Sequence, residues 1–175
     1  MVKYVSIKDV SLSVASGITK KKASRGKYNV YGSTGIIGYS NLYDYSGVKI
    51  LVARVEAILK RTKGDSKEPK DYDGIEIDKE GRTVSVDGKN IEDGKYGVSD
   101  NTIIIDVSQQ YNVKYVYYQL KYLNLHSLIF GSGQPLITGT QLKQLKFRNV
   151  ELKEQVTIVK ALSDIDSLYD RYSGR

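Results

Sequence analysis

The chain has 175 residues, 40% of them hydrophobic, and a formal net charge of +7. That length gives one domain, or one domain with an appendage, and enough apolar material for a buried core. The absence of cysteine excludes disulfides, thiolate metal sites and cysteine nucleophiles, and a single histidine leaves no material for a histidine metal cluster or triad.

The charge is unevenly placed. Residues 1–50 carry eight Lys/Arg against Asp9 and Asp44, residues 51–91 carry nine of each sign, and residues 107–150 carry five bases and no acid. Localised charge of one sign favours an anionic partner, although a solvated lysine face has the same composition. No apolar run of signal-peptide length follows Met1 and no later run could span a bilayer, so a cytoplasmic protein with no membrane partner is expected.

In chain order, Val2 to Val14 alternates weakly and ends at Ser16-Gly17, as an opening strand or short turn does. Lys20, Lys21, Lys22 and Arg25 then lead into Gly26-Lys-Tyr-Asn-Val-Tyr-Gly-Ser-Thr-Gly-Ile-Ile-Gly-Tyr39, with four glycines and three tyrosines. Glycine admits close backbone approach, tyrosine offers a flat face with a hydrogen-bonding tip, and lysine supplies phosphate-directed charge. Two readings fit: a glycine-punctuated hairpin with solvated lysines, or a nucleic-acid surface. Val48 to Arg54 and Asn101 to Val107 are apolar, β-branched runs that predict buried strands. Tyr115 to Leu125 predicts a helix with Val116, Leu120 and Leu123 on one side, and Gly131-Ser-Gly-Gln-Pro135 a loop. Gln141 to Phe147 reads as a short helix passing into a strand. From Leu152 the pattern is helical, with Ile158, Leu162, Ile165, Tyr169 and Tyr172 spaced four, three, four and three. That is the seam of a coiled coil, and equally the stripe of a helix packed on its own domain.

Signatures of chemistry are missing. There is no Asn/Asp-Pro-Pro-aromatic motif for adenine methyl transfer, no glycine-rich cofactor turn after a strand and no phosphate-binding P-loop. The pairs Glu76/Asp78 and Glu92/Asp93 read as a solvated face, and Asp78 stands where a nuclease-like arrangement would need lysine. His126 is expected to pack beside Leu125 and Leu128. The sequence argues against an enzyme, and no cofactor, metal or catalytic residue is assigned.

A family resemblance follows from several pieces in order. They are Gly26-Lys-Tyr-Asn-Val-Tyr-Gly-Ser33, Gly38-Tyr-Ser-Asn41, Ile50-Leu-Val-Ala-Arg54 and Gly94-Lys-Tyr-Gly-Val-Ser-Asp-Asn-Thr-Ile-Ile-Ile105. Tyr115-Val-Tyr-Tyr-Gln-Leu120, Gly131 to Pro135, Leu142-Lys143, Glu154-Gln155 and Ile158 to Asp166 continue the series. Together they resemble one half of the DNA-specificity subunit of type I restriction–modification enzymes. The resemblance implies an α/β (α+β) target-recognition domain over residues 1–150, with a mixed β-sheet and short helices. A truncated, coiled-coil-like C-terminal helix at 151–175 would begin the family's spacer helix. Such a half-subunit implies a homodimer or a fusion to read a bipartite site, alongside a methyltransferase subunit and, in the full assembly, a restriction subunit. It does no chemistry itself.

Residues from Leu51 to about Glu92 resemble a different family. Leu51-Val-Ala-Arg-Val-Glu-Ala-Ile-Leu-Lys-Arg-Thr62, a charged linker, Ile75-Glu-Ile-Asp78 and Gly81-Arg-Thr-Val-Ser-Val-Asp-Gly-Lys89 look like the linker and first strands of a winged-helix response regulator. This implies a chimera in which an insert at 56–92 interrupts the recognition domain. Glu56 to Lys63 has helical composition, and Ile75–Ile77 with Thr83–Val86 reads as a β-hairpin able to hold the ends of the insert together.

On this resemblance the chain binds double-stranded DNA sequence-specifically. Lys20, Lys21, Lys22, Arg25 and Lys27 are expected to contact phosphates; Tyr31, Ser33, Thr34, Tyr39 and Asn41 to approach base edges or the sugar–phosphate wall. Gln134, in a second candidate loop, joins them, with Lys143 and Lys146 as further phosphate partners. Ile158, Leu162, Ile165, Tyr169 and Tyr172 would form the dimer or partner seam. The alternative is an interaction protein that reads no DNA and docks on methyltransferase or specificity subunits through that seam, as a decoy or inhibitor.

Overall fold

A computed structural model describes residues 3–33, 35–54, 75–77, 83–86, 94–123, 125–128 and 136–173. Thr34, the Gly131–Pro135 loop with Gln134, the helix expected at Glu56–Lys63 and the side chains of His126 and Tyr169 lie outside the described residues. Of the segment 56–92, only two short strands are described.

The opening stretch holds three elements: β1 (Tyr4–Ser6), a single helical turn α1 (Ile7–Val10) and β2 (Ser11–Ser16). Ser6 and Asp9 form a capping box that starts α1, each side chain meeting the other's backbone N–H. After a basic segment come β3 (Tyr28–Gly32), β4 (Gly35–Ser40), the short β5 (Tyr45–Ser46) and β6 (Ile50–Ala53). Strands β7 (Ile75–Ile77) and β8 (Thr83–Val86) precede β9 (Lys95–Val98) and β10 (Thr102–Val107). The remainder is α2 (Val113–Tyr122), a 3-10 turn at Leu125–Leu128, α3 (Gly139–Gln144), β11 (Lys146–Arg148) and α4 (Leu152–Ser173).

The described strands form three sheets. β1 pairs with β11; a five-stranded antiparallel sheet has the order β2-β10-β6-β8-β7; and a four-stranded sheet has the order β4-β3-β9-β5, with β3 and β9 parallel. The expected hairpin of 75–77 with 83–86 is present, and β8 pairs in turn with β6, so the hairpin extends the larger sheet.

The apolar runs Ile50–Ala53 in β6 and Ile103–Ile105 in β10 follow from their position between two packed layers. Successive strand residues point to opposite faces, so only a strand buried on both faces omits polar residues. Ile50, Val52, Ile103 and Ile105 point into an aliphatic core with Ile7, Val10, Val116, Leu120 and Leu142. Leu51 and Ile104 point the other way, into a smaller cluster with Tyr31, Tyr96 and Val98. Each such buried side chain contributes about 1.5–3 kcal/mol of transfer free energy.

Helix α2 covers the aliphatic face. Asn112 caps it by accepting the Tyr115 N–H at 3.1 Å. Tyr115, Tyr117, Val116 and Leu120 are buried, and the Tyr115 hydroxyl donates to the Arg148 carbonyl at 2.7 Å. Helix α4 is fastened to this layer by polar bonds at two levels. Gln155, 1% exposed, accepts the Asn112 N–H at 2.8 Å and donates to the Val150 carbonyl at 2.9 Å. Three turns later the Tyr118 hydroxyl donates to Asp166 at 2.7 Å. No helix among the described residues is long and apolar enough to cross a membrane.

Candidate nucleic-acid interface

The basic segment between β2 and β3 is held by backbone. The Gly17 N–H donates to the Thr102 carbonyl and the Thr19 N–H to the Val98 carbonyl, and a Cβ at Gly17 would lie 2.3 Å from the carbonyl oxygens of Val98 and Ser99. Only glycine permits that approach. Ala23 then exchanges two hydrogen bonds with Tyr39 of β4, at 2.8 and 3.0 Å. Gly26 lies against the Ser40 backbone, where an added Cβ would come within 2.8 Å. Lys20, Lys21, Lys22 and Arg25 are thereby laid beside the exposed end of β4, and all four are exposed, as is Lys27.

The turn that follows β4 is pinned at several points. The Lys27 N–H donates to Asn41 Oδ1 at 3.3 Å and the Leu42 N–H to Ser40 Oγ at 3.0 Å. Beyond the tip, the Asp44 N–H donates to the Tyr96 carbonyl at 3.2 Å, and its carboxylate accepts the Thr19 hydroxyl. Aromatic contacts brace the turn from behind. Tyr43 stands edge-on to Tyr28 at 5.2 Å between centroids, with Lys95 Nζ 5.1 Å from the Tyr43 ring and Lys27 Nζ 5.4 Å from the Tyr28 ring. Tyr39 (37% exposed), Asn41, Leu42 (78%) and Tyr43 (46%) face solvent. The turn thus combines several cations with flat and amide side chains that can meet base edges, and Asp44, the acid at its edge among the described residues, is already engaged.

Some expected residues are elsewhere. Tyr31 is fully buried, edge-on to Tyr96 at 5.7 Å, and its hydroxyl accepts from Asn29 at 3.3 Å, so it is a core residue rather than a base contact. Burial raises the Tyr31 phenol pKa above its ordinary value, the Asn29 bond partly opposing, and burial raises those of Tyr96 and Tyr45 too. Ser33 is half-buried and donates to the Asn101 carbonyl at 2.8 Å, which makes it a tie between turns. Lys143 on α3 and Lys146 on β11 are exposed but not in this group: Lys146 pairs in register with Ser6, before β2, whereas the basic segment follows β2. A six-residue strand spans roughly 20 Å.

The seam expected on α4 is divided. Ile158 packs on the aliphatic core and Leu162 is half-buried, whereas Ile165 and Tyr172 are exposed. Leu42, Tyr43, Tyr28 and Lys95 were not singled out by sequence. Leu42 and Tyr43 directly follow Asn41, four residues or fewer beyond the glycine–tyrosine run of 26–39. Nothing local marks Lys95, which arrives through the pairing of β9 with β5.

A family model described as the type I restriction modification DNA specificity domain matches residues 2–171. Comparison with curated proteins gives no match. Among solved structures, the fold is similar to a type-I restriction-modification system S subunit from M. genitalium, with a TM-score of 0.66 at 16% identity over 99% of this chain and 41% of that one. It is also similar to a chain from a study of complex assembly and conformational transition of the type I R-M system, with a TM-score of 0.58 at 14% identity, covering 95% and 38%. At these identities the likeness is one of fold, and the chain spans about two fifths of the length of either solved chain. With the family model spanning nearly its whole length, the chain belongs to the type I restriction modification DNA specificity domain family.

Proposed function

We propose that this chain reads double-stranded DNA sequence-specifically as the specificity component of a type I restriction–modification assembly. The observation that carries the reading is the union of Lys20, Lys21, Lys22, Arg25 and Lys27 with exposed Tyr39, Asn41 and Tyr43 on one backbone-pinned surface. The cations contact phosphates and set register; Tyr39 and Asn41 meet base edges and sugars, and Tyr43 backs the turn that presents them. Residues 1–150 act as the recognition unit and α4 as the arm that joins it to partners. The outward side chains Ile165, Leu168 and Tyr172 supply that arm's apolar face, towards a methyltransferase subunit or a second copy of the chain. Chemistry belongs to those partners: the family is a specificity domain, and the sequence has no cysteine and one histidine.

Selection from a random duplex pool tests this. Enrichment of a defined sequence, with affinity falling steeply as salt rises, is expected. Recovery of an unenriched pool with salt-independent affinity would refute it.

A further inference from the structure

We propose that Leu42 is an apolar wedge that enters a base step of the bound duplex, with Tyr43 bracing it from behind; this rests on the DNA-reading role proposed above. An exposed leucine alone carries no message. Leu42 differs in its setting. It is the tip of a turn fixed by Ser40, Asn41 and Asp44, so it cannot collapse onto the domain, and it stays 78% exposed. Its neighbour Tyr43 is held between Tyr28 and Lys95, which backs the tip with a rigid aromatic wall. Cations border the same turn.

A rigid apolar point among cations fits a partner whose apolar slot runs between anionic rails. A base-pair stack bordered by its two phosphate backbones has that form. A lipid surface would call for a broader apolar face, and an apolar protein groove would call for no cations. Inserted side chains of this type unstack a step and bend the duplex, at a cost of unstacking that falls when the step is already open. Leu42 would therefore add selectivity for deformable steps, at positions where no base edge is read.

The test compares random-sequence duplexes that are intact with the same pool carrying one central abasic site, which keeps every phosphate but removes stacking. The full chain is expected to prefer the abasic pool by about tenfold. Leu42→Ala, a surface change with an unaltered melting curve, is expected to bind intact duplex with the same salt slope but to lose the preference. Leu12→Ala, 70% exposed on β2, is the control that keeps it. Retention of the preference by Leu42→Ala, or its absence in the unmodified chain, would overturn the wedge while leaving DNA reading in place. Failure of the unmodified chain to bind either pool would overturn both.

Discussion

Two stretches of this chain carry an excess of positive charge, and they use their tyrosines in opposite ways. Between residues 20 and 43 the lysines lie beside Tyr39 and Tyr43, whose rings remain open to solvent on a pinned turn. Between 107 and 150 the tyrosines of α2 are mostly structural: Tyr115 and Tyr117 are buried, and Tyr118 is tied to Asp166. The cation on those rings is Lys121 of the same helix, its Nζ 5.3 Å from the Tyr117 centroid and 5.9 Å from that of Tyr118, rings already committed to the fold. Charge excess alone therefore does not locate a recognition surface. The surface proposed here rests instead on cations sharing a rigid surface with side chains that can read a base.

The largest effect should come from the structural tyrosines. Tyr115→Ala removes a ring packed edge-on to Phe147 and a hydroxyl bonded to the Arg148 carbonyl, and should cost about 3–5 kcal/mol in chemical denaturation. Tyr39→Ala, by contrast, should leave the denaturation midpoint nearly unchanged and weaken duplex binding by about 1–3 kcal/mol, read by fluorescence anisotropy. An unfolded Tyr39→Ala or a stable Tyr115→Ala would erase the distinction between the two regions.

Gln155→Ala should destabilise by about 1–3 kcal/mol, because it leaves the half-buried Asn112 N–H and Val150 carbonyl without their partner. Comparing its melting with its DNA affinity asks whether α4 matters to recognition beyond stability. A smaller effect, about 1 kcal/mol, is expected for Ser6→Ala at the capping box. There the Ser6 hydroxyl and then the Ser6 N–H hold the Asp9 carboxyl pKa below the ordinary carboxylate range. A depressed carboxylate stabilises the fold above its unfolded pKa and loses that contribution as pH falls through the folded value. The difference between Ser6→Ala and the unmodified chain should accordingly shrink in acid.

Some of this architecture is legible in one dimension. The runs at 50–53 and 103–105 announce buried strands because both faces are covered and polar alternation is absent there. Helix α4 is announced by period, but its seam is not resolved by period, since a coiled coil and a domain-packed helix repeat alike; the structure gives Ile158 to the domain and Ile165 to solvent. The surface proposed to meet DNA is only half legible in the sequence. Tyr31 and Tyr39 look equivalent in a glycine-rich run, and their fates are set by a register shift between Val30 and Tyr31 and by pairing with β9, far away in sequence. Local pattern carries no information about that pairing, so it neither separates buried Tyr31 from exposed Tyr39 nor marks Lys95. Within 51–92, the described strands add a hairpin to β6.

The central claim is that the lysines of 20–22 neutralise DNA phosphates. Its most direct test is the duplex affinity of the unmodified chain and of the combined Lys20→Ala, Lys21→Ala, Lys22→Ala variant across a salt series. Log affinity should fall linearly with log salt, and the variant's slope should be shallower by about 0.9 for each phosphate contact removed. A salt-insensitive affinity, or a variant whose slope matches the unmodified chain, would contradict the account.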